Sequence, residues 1–127
     1  MARKWTCKED ILCGVNEPRK KDNLTDLGKK HMPIINAPER VNKDEPFEIE
    51  IDIGKLRTHP NEPAHFIEWI ELYCGDTFLA RAHYSGGASY AQASFKVKLS
   101  HAHGPLRVWG KCNLHGLWKN TKEISVV

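Results

Sequence analysis

The chain has 127 residues, and its 19 lysines and arginines stand against 16 aspartates and glutamates, so 19 − 16 gives a net charge of +3. This length is typical of a single domain. A hydrophobic fraction of 40% with a charged fraction of 28% is typical of a folded globular protein and excludes disorder, collagen and coiled coil. No stretch approaches the ~18 consecutive apolar residues of a membrane span, and the N-terminus lacks the apolar run of a signal peptide. We therefore expect a cytoplasmic protein without a membrane or nucleic-acid partner, since its small positive charge is dispersed.

The first 30 residues are polar and irregular. They predict an N-terminal arm with one helical turn over residues 23–27. Pro33, Pro38 and Pro46 then exclude a long helix through residues 31–46, because proline breaks a helix interior.

Alternation of apolar and polar residues begins after Pro46. Residues 47–53 place Phe47, Ile49 and Ile51 on one face, which predicts a half-buried strand. Further strands are predicted over residues 65–73, 77–84 and 89–99, around Leu106 to Val108 and around Ile124 to Val126. Short strands separated by turn residues predict an all-β protein, in the form of an antiparallel β-sandwich.

Histidines and one cysteine concentrate on loops of this sandwich. The three groups are Lys29-Lys30-His31-Met32-Pro33, the loop from His59 to His65, and Cys112-Asn113-Leu114-His115. Prolines stiffen the first two groups, and a rigid backbone holds metal ligands within tight tolerances. A single histidine is more often a hydrogen-bonded structural residue than a ligand. The combination of four imidazoles and one thiol is what predicts a metal site.

The type of donor restricts the metal. Structural zinc favours four ligands with paired Cys-x2-Cys spacing, which this sequence lacks. Mixed nitrogen and sulfur donors suit a redox-active iron with a vacant position. A copper site made by His65, Cys112 and His115, as in blue-copper electron-transfer proteins, is the alternative. A non-catalytic interaction module with structural histidines is a third interpretation.

The three segments resemble those of the superoxide reductase family, in its one-iron neelaredoxin form and in the catalytic domain of desulfoferrodoxin. The resemblance implies an immunoglobulin-like β-sandwich of about seven strands over residues 25–127, preceded by an arm over residues 1–24 without a metal centre of its own. It implies one iron ion per chain, with Cys112 as axial thiolate and four equatorial imidazoles, those of His31, His59, His65 and His115. It also implies reduction of superoxide to hydrogen peroxide, an external donor such as rubredoxin, and a homo-oligomer, either a tetramer or a dimer.

The resemblance also assigns roles around the iron. The family's catalytic lysine corresponds to Lys30, whose ammonium would attract superoxide and orient the water that protonates the product. Backbone N–H groups of Leu114 and His115 would lie close to the sulfur and tune its electron donation. Lys29 stands at the position of a family glutamate that closes the sixth iron position, so the group filling that position is open here. We expect Lys29 to add to the steering of superoxide.

Two cysteines lie in the arm, where two-iron relatives carry a small rubredoxin-like domain with four. Cys7 and Cys13 alone cannot make a four-thiolate iron centre, so a single iron is predicted. We expect both to be ordinary reduced thiols, with a disulfide between them as the alternative. Cys74 is expected to be a small buried hydrophobe, and Trp118 a core or interface residue.

Overall fold

Cys7 and residues 10–127 are described in a computed structural model of the chain, and they form ten strands and one short helix. The helix α1 spans Asp26–His31. The strands are β1 Val15–Asn16, β2 Ile34–Asn36, β3 Arg40–Val41, β4 Phe47–Asp52, β5 Ile67–Cys74, β6 Thr77–His83, β7 Gln92–Val97, β8 Leu106–Cys112, β9 Gly116–Lys122 and β10 Ser125–Val126.

The strands form two facing sheets and a small strand pair. One sheet has five strands in the order β1-β9-β8-β5-β6, the other has three in the order β2-β4-β7, and β3 pairs with β10. All pairings among the longer strands are antiparallel, whereas the two-residue strands β1 and β3 pair in parallel with β9 and β10. The all-β fold predicted from the sequence is confirmed, with these short parallel pairings added.

The core lies between the two sheets. Ile49 and Ile51 of β4 are fully buried, as the alternation predicted, and they share one apolar cluster with Ile70 and Leu72 of β5 and Val108 of β8. Cys74 belongs to the same cluster and is fully buried, which confirms its expected role as a small hydrophobe. Because buried residues alternate along β4 and β8, a one-residue register slip of either strand would turn its buried side chains to the opposite face.

The helix forms three residues later than the predicted turn. Thr25 caps it, because the Thr25 hydroxyl accepts a hydrogen bond from the Gly28 N–H at 3.1 Å. The helix ends at His31, since Pro33 follows and cannot continue it. With six residues, α1 is far shorter than the ~20 that a membrane-spanning helix needs, and the described residues contain no other helix.

Residues 10–24 of the arm form more regular structure than their sequence suggests. Val15 and Asn16 of β1 pair with Leu117 and Trp118 of β9, so this part of the arm belongs to the large sheet. Cys7 and Cys13 are joined by a disulfide, and the expectation of two reduced thiols is therefore wrong for this structure. A tight turn brings the two sulfurs together, because the Asp10 N–H donates to the Cys7 carbonyl and the Cys13 N–H to the Asp10 carbonyl.

Candidate metal centre

Loops from distant parts of the chain meet at one end of the sandwich. His31 ends α1, His59 and His65 lie between β4 and β5, and Cys112 ends β8. The ligating atoms of these four residues all lie within 4.8 Å of one another. His115, in the turn before β9, joins them with its Nδ1 3.2 Å from His65 Nε2 and 3.6 Å from Cys112 Sγ. The structure thus brings together all five predicted ligands.

Two histidines are held with one ring nitrogen free. His31 Nδ1–H donates to the Leu27 carbonyl at 2.8 Å, and His59 Nδ1–H donates to the Pro60 carbonyl at 2.6 Å. Such bonds fix the tautomer and leave the Nε2 lone pair of each ring available to a metal. These two Nε2 atoms face each other at 3.2 Å, and His59 Nε2 lies 3.3 Å from Cys112 Sγ.

Burial favours the uncharged form of three histidines of the centre. Burial lowers the pKa of both His31 and His59 from 6.5 to about 4, and it also lowers the pKa of His115. At neutral pH the facing Nε2 atoms are therefore two hydrogen-bond acceptors with no proton between them. Two nitrogens bound at right angles to one metal ion, with bonds of about 2.1 Å, lie about 3 Å apart. The donor set thus fits a cation, and a metal satisfies these lone pairs.

The sulfur is also placed as a ligand. Burial raises the pKa of the Cys112 thiol, and backbone N–H groups of Leu114 and His115 oppose this by hydrogen bonding to Sγ. Cys112 is fully buried, whereas Leu114, the next-but-one residue, is half exposed. The Leu114 N–H therefore acts on the Cys112 thiol, whereas its tuning of a metal-bound thiolate stays a prediction.

The low histidine pKa values predict how the metal-free protein responds to acid. Between pH 6.5 and about 4 the unfolded chain binds more protons at His31 and His59 than the folded chain does. The free energy of unfolding should therefore be highest above pH 6.5 and should fall as the pH is lowered from 6.5 to about 4. Urea unfolding of the metal-free protein at several pH values in this range measures this free energy. The loss should be smaller in a His31→Gln/His59→Gln double variant; equal loss in both proteins would contradict the assignment.

A glycine allows the backbone to reach His59. Gly54 has φ of +98°, in the left-handed region that favours glycine, and a Cβ at this position would lie 2.7 Å from the His59 backbone nitrogen. The close approach of Gly54 to His59 fixes where the loop begins.

Asn113 connects the two halves of the centre, and the sequence analysis did not single it out. Its Oδ1 accepts from the Phe66 N–H at 2.9 Å, and its Nδ2 donates to the Ala64 carbonyl at 2.9 Å. Its own N–H donates to the Phe66 carbonyl at 3.2 Å. One side chain thereby ties the segment that carries His65 to the turn that carries Cys112. Its position between two predicted ligands, Cys112 and His115, was the one feature of the sequence that could have pointed to this role.

Trp118 supports the ring of His31. The two rings stack with centroids 5.0 Å apart and an interplanar angle of 20°, and Trp118 Nε1–H donates to the His115 carbonyl at 2.9 Å. The expected core role of Trp118 thus includes contact with two of the histidines.

The two lysines of α1 are not equivalent. The positive charge of Lys30 is among the causes that lower the pKa of His59 and of His115, so its ammonium acts on the centre. Lys29 is not among those causes, although it lies in the same last turn of α1.

The sequence and the fold both match one family. The sequence model of the desulfoferrodoxin family matches residues 23–121. A provisionally named superoxide reductase of Methanocaldococcus jannaschii is 40% identical over 117 residues, covering 88% of this chain and 94% of that protein. The superoxide reductase of Pyrococcus horikoshii is 34% identical, covering 77% of this chain and 90% of the relative.

Solved structures agree with these relatives. A superoxide reductase (neelaredoxin) from Ignicoccus hospitalis superposes with a TM-score of 0.77 at 37% identity, covering 89% of this chain and 95% of that one. This likeness confirms the immunoglobulin-like sandwich that the resemblance implied. The chain therefore belongs to the desulfoferrodoxin family.

Proposed function

We propose that the chain is a superoxide reductase, which converts one superoxide, one electron and two protons into hydrogen peroxide at a single iron. The supporting observation is that His59 Nε2 lies 3.2 Å from His31 Nε2 and 3.3 Å from Cys112 Sγ, in a chain of this family. The iron would be held by Cys112 and by the four histidines His31, His59, His65 and His115.

The bound iron would supply the electron and a coordination position for the substrate. The chain's own residues set the surroundings of that reaction. The Cys112 thiolate would add electron density to the metal, as thiolates do in haem enzymes, and the Leu114 and His115 N–H groups would limit this donation. His31 and His59 are buried, whereas His65 and His115 are partly exposed, so the histidine pair in the later segments faces the solvent from which superoxide arrives.

Lys30 would bind and orient the anion. Its charge reaches His59 and His115, and a cation beside the partly exposed His115 attracts superoxide and holds a proton at Nζ close to the reaction. Lys29 adds positive charge to the same turn, and we retain its steering role as a proposal. The acidic residue of α1, Asp26, lies in the first turn and pairs with Arg57 at 3.3 Å.

The electron would come from another molecule. Cys7 and Cys13 are bound to each other, so in this structure they are not free to ligate a second iron. We propose rubredoxin or a similar small carrier as the donor and a homotetramer or homodimer as the assembly, both supported by the resemblance to the family. The cytoplasmic location and the division at residue 24 stay predictions from the sequence.

The copper alternative accounts for less of the geometry. A site of His65, Cys112 and His115 leaves His31 and His59 without a role, yet His59 Nε2 lies nearer to Cys112 Sγ, at 3.3 Å, than His115 Nδ1 does, at 3.6 Å. An interaction module with structural histidines leaves the facing lone pairs unsatisfied.

The products of superoxide consumption test the proposal. With excess reductant, the iron-loaded protein should release one peroxide for each superoxide consumed and no dioxygen. A dismutase would release dioxygen and half as much peroxide. An oxygen electrode and a peroxide assay on the same reaction separate the two, and evolution of dioxygen would contradict the proposal.

A further inference from the structure

We propose that Cys7 and Cys13 are a modification site at which hydrogen peroxide oxidises two thiols to a disulfide, and that this disulfide favours the pairing of Val15 and Asn16 with β9. The proposal takes the source of the peroxide from the proposed function, and the site itself from the structure. Cys7 is exposed and Cys13 is partly buried, whereas the two free cysteines, Cys74 and Cys112, are buried. The solvent-accessible thiols are thus the ones that the structure pairs.

The chemistry needs no reagent beyond the peroxide. The thiolate of one cysteine attacks peroxide, the O–O bond breaks, and the products are a sulfenic acid and, after protonation, one water. The second thiol then attacks the sulfenic sulfur, the S–S bond forms and the sulfenic oxygen leaves as a second water. The two sulfurs supply the two electrons, so atoms and charge balance.

Ile11, which lies between the two cysteines in sequence, packs against the start of β9. Gly116 follows His115 and has φ of +82°, and a Cβ on it would collide with the Ile11 carbonyl oxygen, which lies between the two cysteines in sequence. Asn16 Nδ2–H donates to that same Ile11 carbonyl at 2.8 Å and to the Leu117 carbonyl at 3.0 Å. The segment between the two cysteines therefore contacts the strand that begins directly after the proposed ligand His115.

The disulfide has a mechanical role because β1 is short. The strand pairing of only two residues, Val15 and Asn16, contributes little stability by itself. A disulfide between Cys7 and Cys13 reduces the number of conformations available when β1 is not paired with β9. It therefore favours the paired state. The docked arm covers Gly116 and pairs with Trp118, whose ring stacks on His31. Oxidation of Cys7 and Cys13 is thereby linked to Trp118, whose ring stacks on that of His31.

Thiol mapping tests the oxidation. The full-length, iron-loaded protein is reduced with a phosphine, freed of reductant under argon and treated with hydrogen peroxide. After denaturation and alkylation, mass spectrometry should show Cys7 and Cys13 unalkylated together, with the loss of two hydrogens, while the buried Cys74 is alkylated in full. If Cys7 and Cys13 are still alkylated after the peroxide treatment, or if they oxidise no faster than Cys74, the proposal is overturned.

Hydrogen exchange tests the fastening. The amides of Val15 and Asn16 should exchange about tenfold or more faster in the reduced protein than in the oxidised one. A Cys13→Ser variant should match the reduced protein under both conditions. Equal exchange in all three samples would show that the disulfide does not hold the arm. Both assays use added peroxide, so their failure is separate from a failure of the superoxide assay, which would overturn the proposed reaction and leave this site standing.

Discussion

Replacing His59 with alanine is expected to remove nearly all bound metal. His59 is buried, and its Nε2 lies 3.2 Å from His31 Nε2 and 3.3 Å from Cys112 Sγ, so it contacts two other proposed ligands. Loss of an outer-shell partner alone costs 10–100-fold in metal affinity, and loss of a ligand should cost at least about as much. Elemental analysis of the protein after gel filtration should show iron falling by about tenfold or more.

His83→Ala is the matched control for this experiment. His83 ends β6 and is exposed, outside the group of ligating side chains. This variant should keep the iron content of the unaltered chain. Circular dichroism of the metal-free variants establishes that both remain folded. A folded His59→Ala protein with a full complement of iron would show that His59 is not a ligand.

Replacing Lys30 with alanine is expected to slow the reaction with superoxide without removing iron. Lys30 places a charge that acts on both His59 and His115, and positive charge at a site raises the association rate of an anion. The second-order rate constant, measured by pulse radiolysis, should fall about tenfold or more. Its dependence on salt should weaken, because screening acts on this attraction. Lys30→Arg should retain most of the rate.

Lys29 provides the neighbouring control in the same helical turn. Lys29→Ala should have a smaller effect than Lys30→Ala, since its charge is not among those that shift the histidines. Lys29→Glu reverses the charge and should lower the rate further if Lys29 steers superoxide. An unchanged salt dependence in Lys29→Glu would end the steering role proposed for Lys29. Equal rates for Lys30→Ala and the unaltered chain would contradict the role of Lys30.

The longer strands other than β9 could be predicted from the sequence, whereas the short strands β1, β2 and β3 could not. The alternation around Ile49 and Ile51 predicts β4 because these two side chains are buried in the core and those of their neighbours are not. The strand β9 escaped prediction because two of its inward positions are Gly116 and Asn120, which are buried yet are poor strand formers. The parallel pairings of β1 and β3 depend on contacts across the whole chain, which periodicity does not carry.

The candidate centre was predictable to a similar extent. Spacing alone indicated a metal site, and the resemblance to a family supplied the five ligands and Lys30. Neither could show Asn113 reaching the Ala64 carbonyl across 49 residues of sequence, nor the stacking of Trp118 on His31. Such contacts depend on which loops the sheet brings together. The pairing of Cys7 with Cys13 depends likewise on a local turn at Asp10 that composition does not reveal.

Metal content and visible spectrum, measured together on the unaltered chain and on Cys112→Ser, test the central claim most directly. Four imidazoles and a thiolate around one ion predict about one iron per chain. They also predict a thiolate-to-ferric absorption band that bleaches on reduction and is absent from Cys112→Ser. Copper in place of iron, no metal after reconstitution, or a band that persists in Cys112→Ser would contradict the proposed centre.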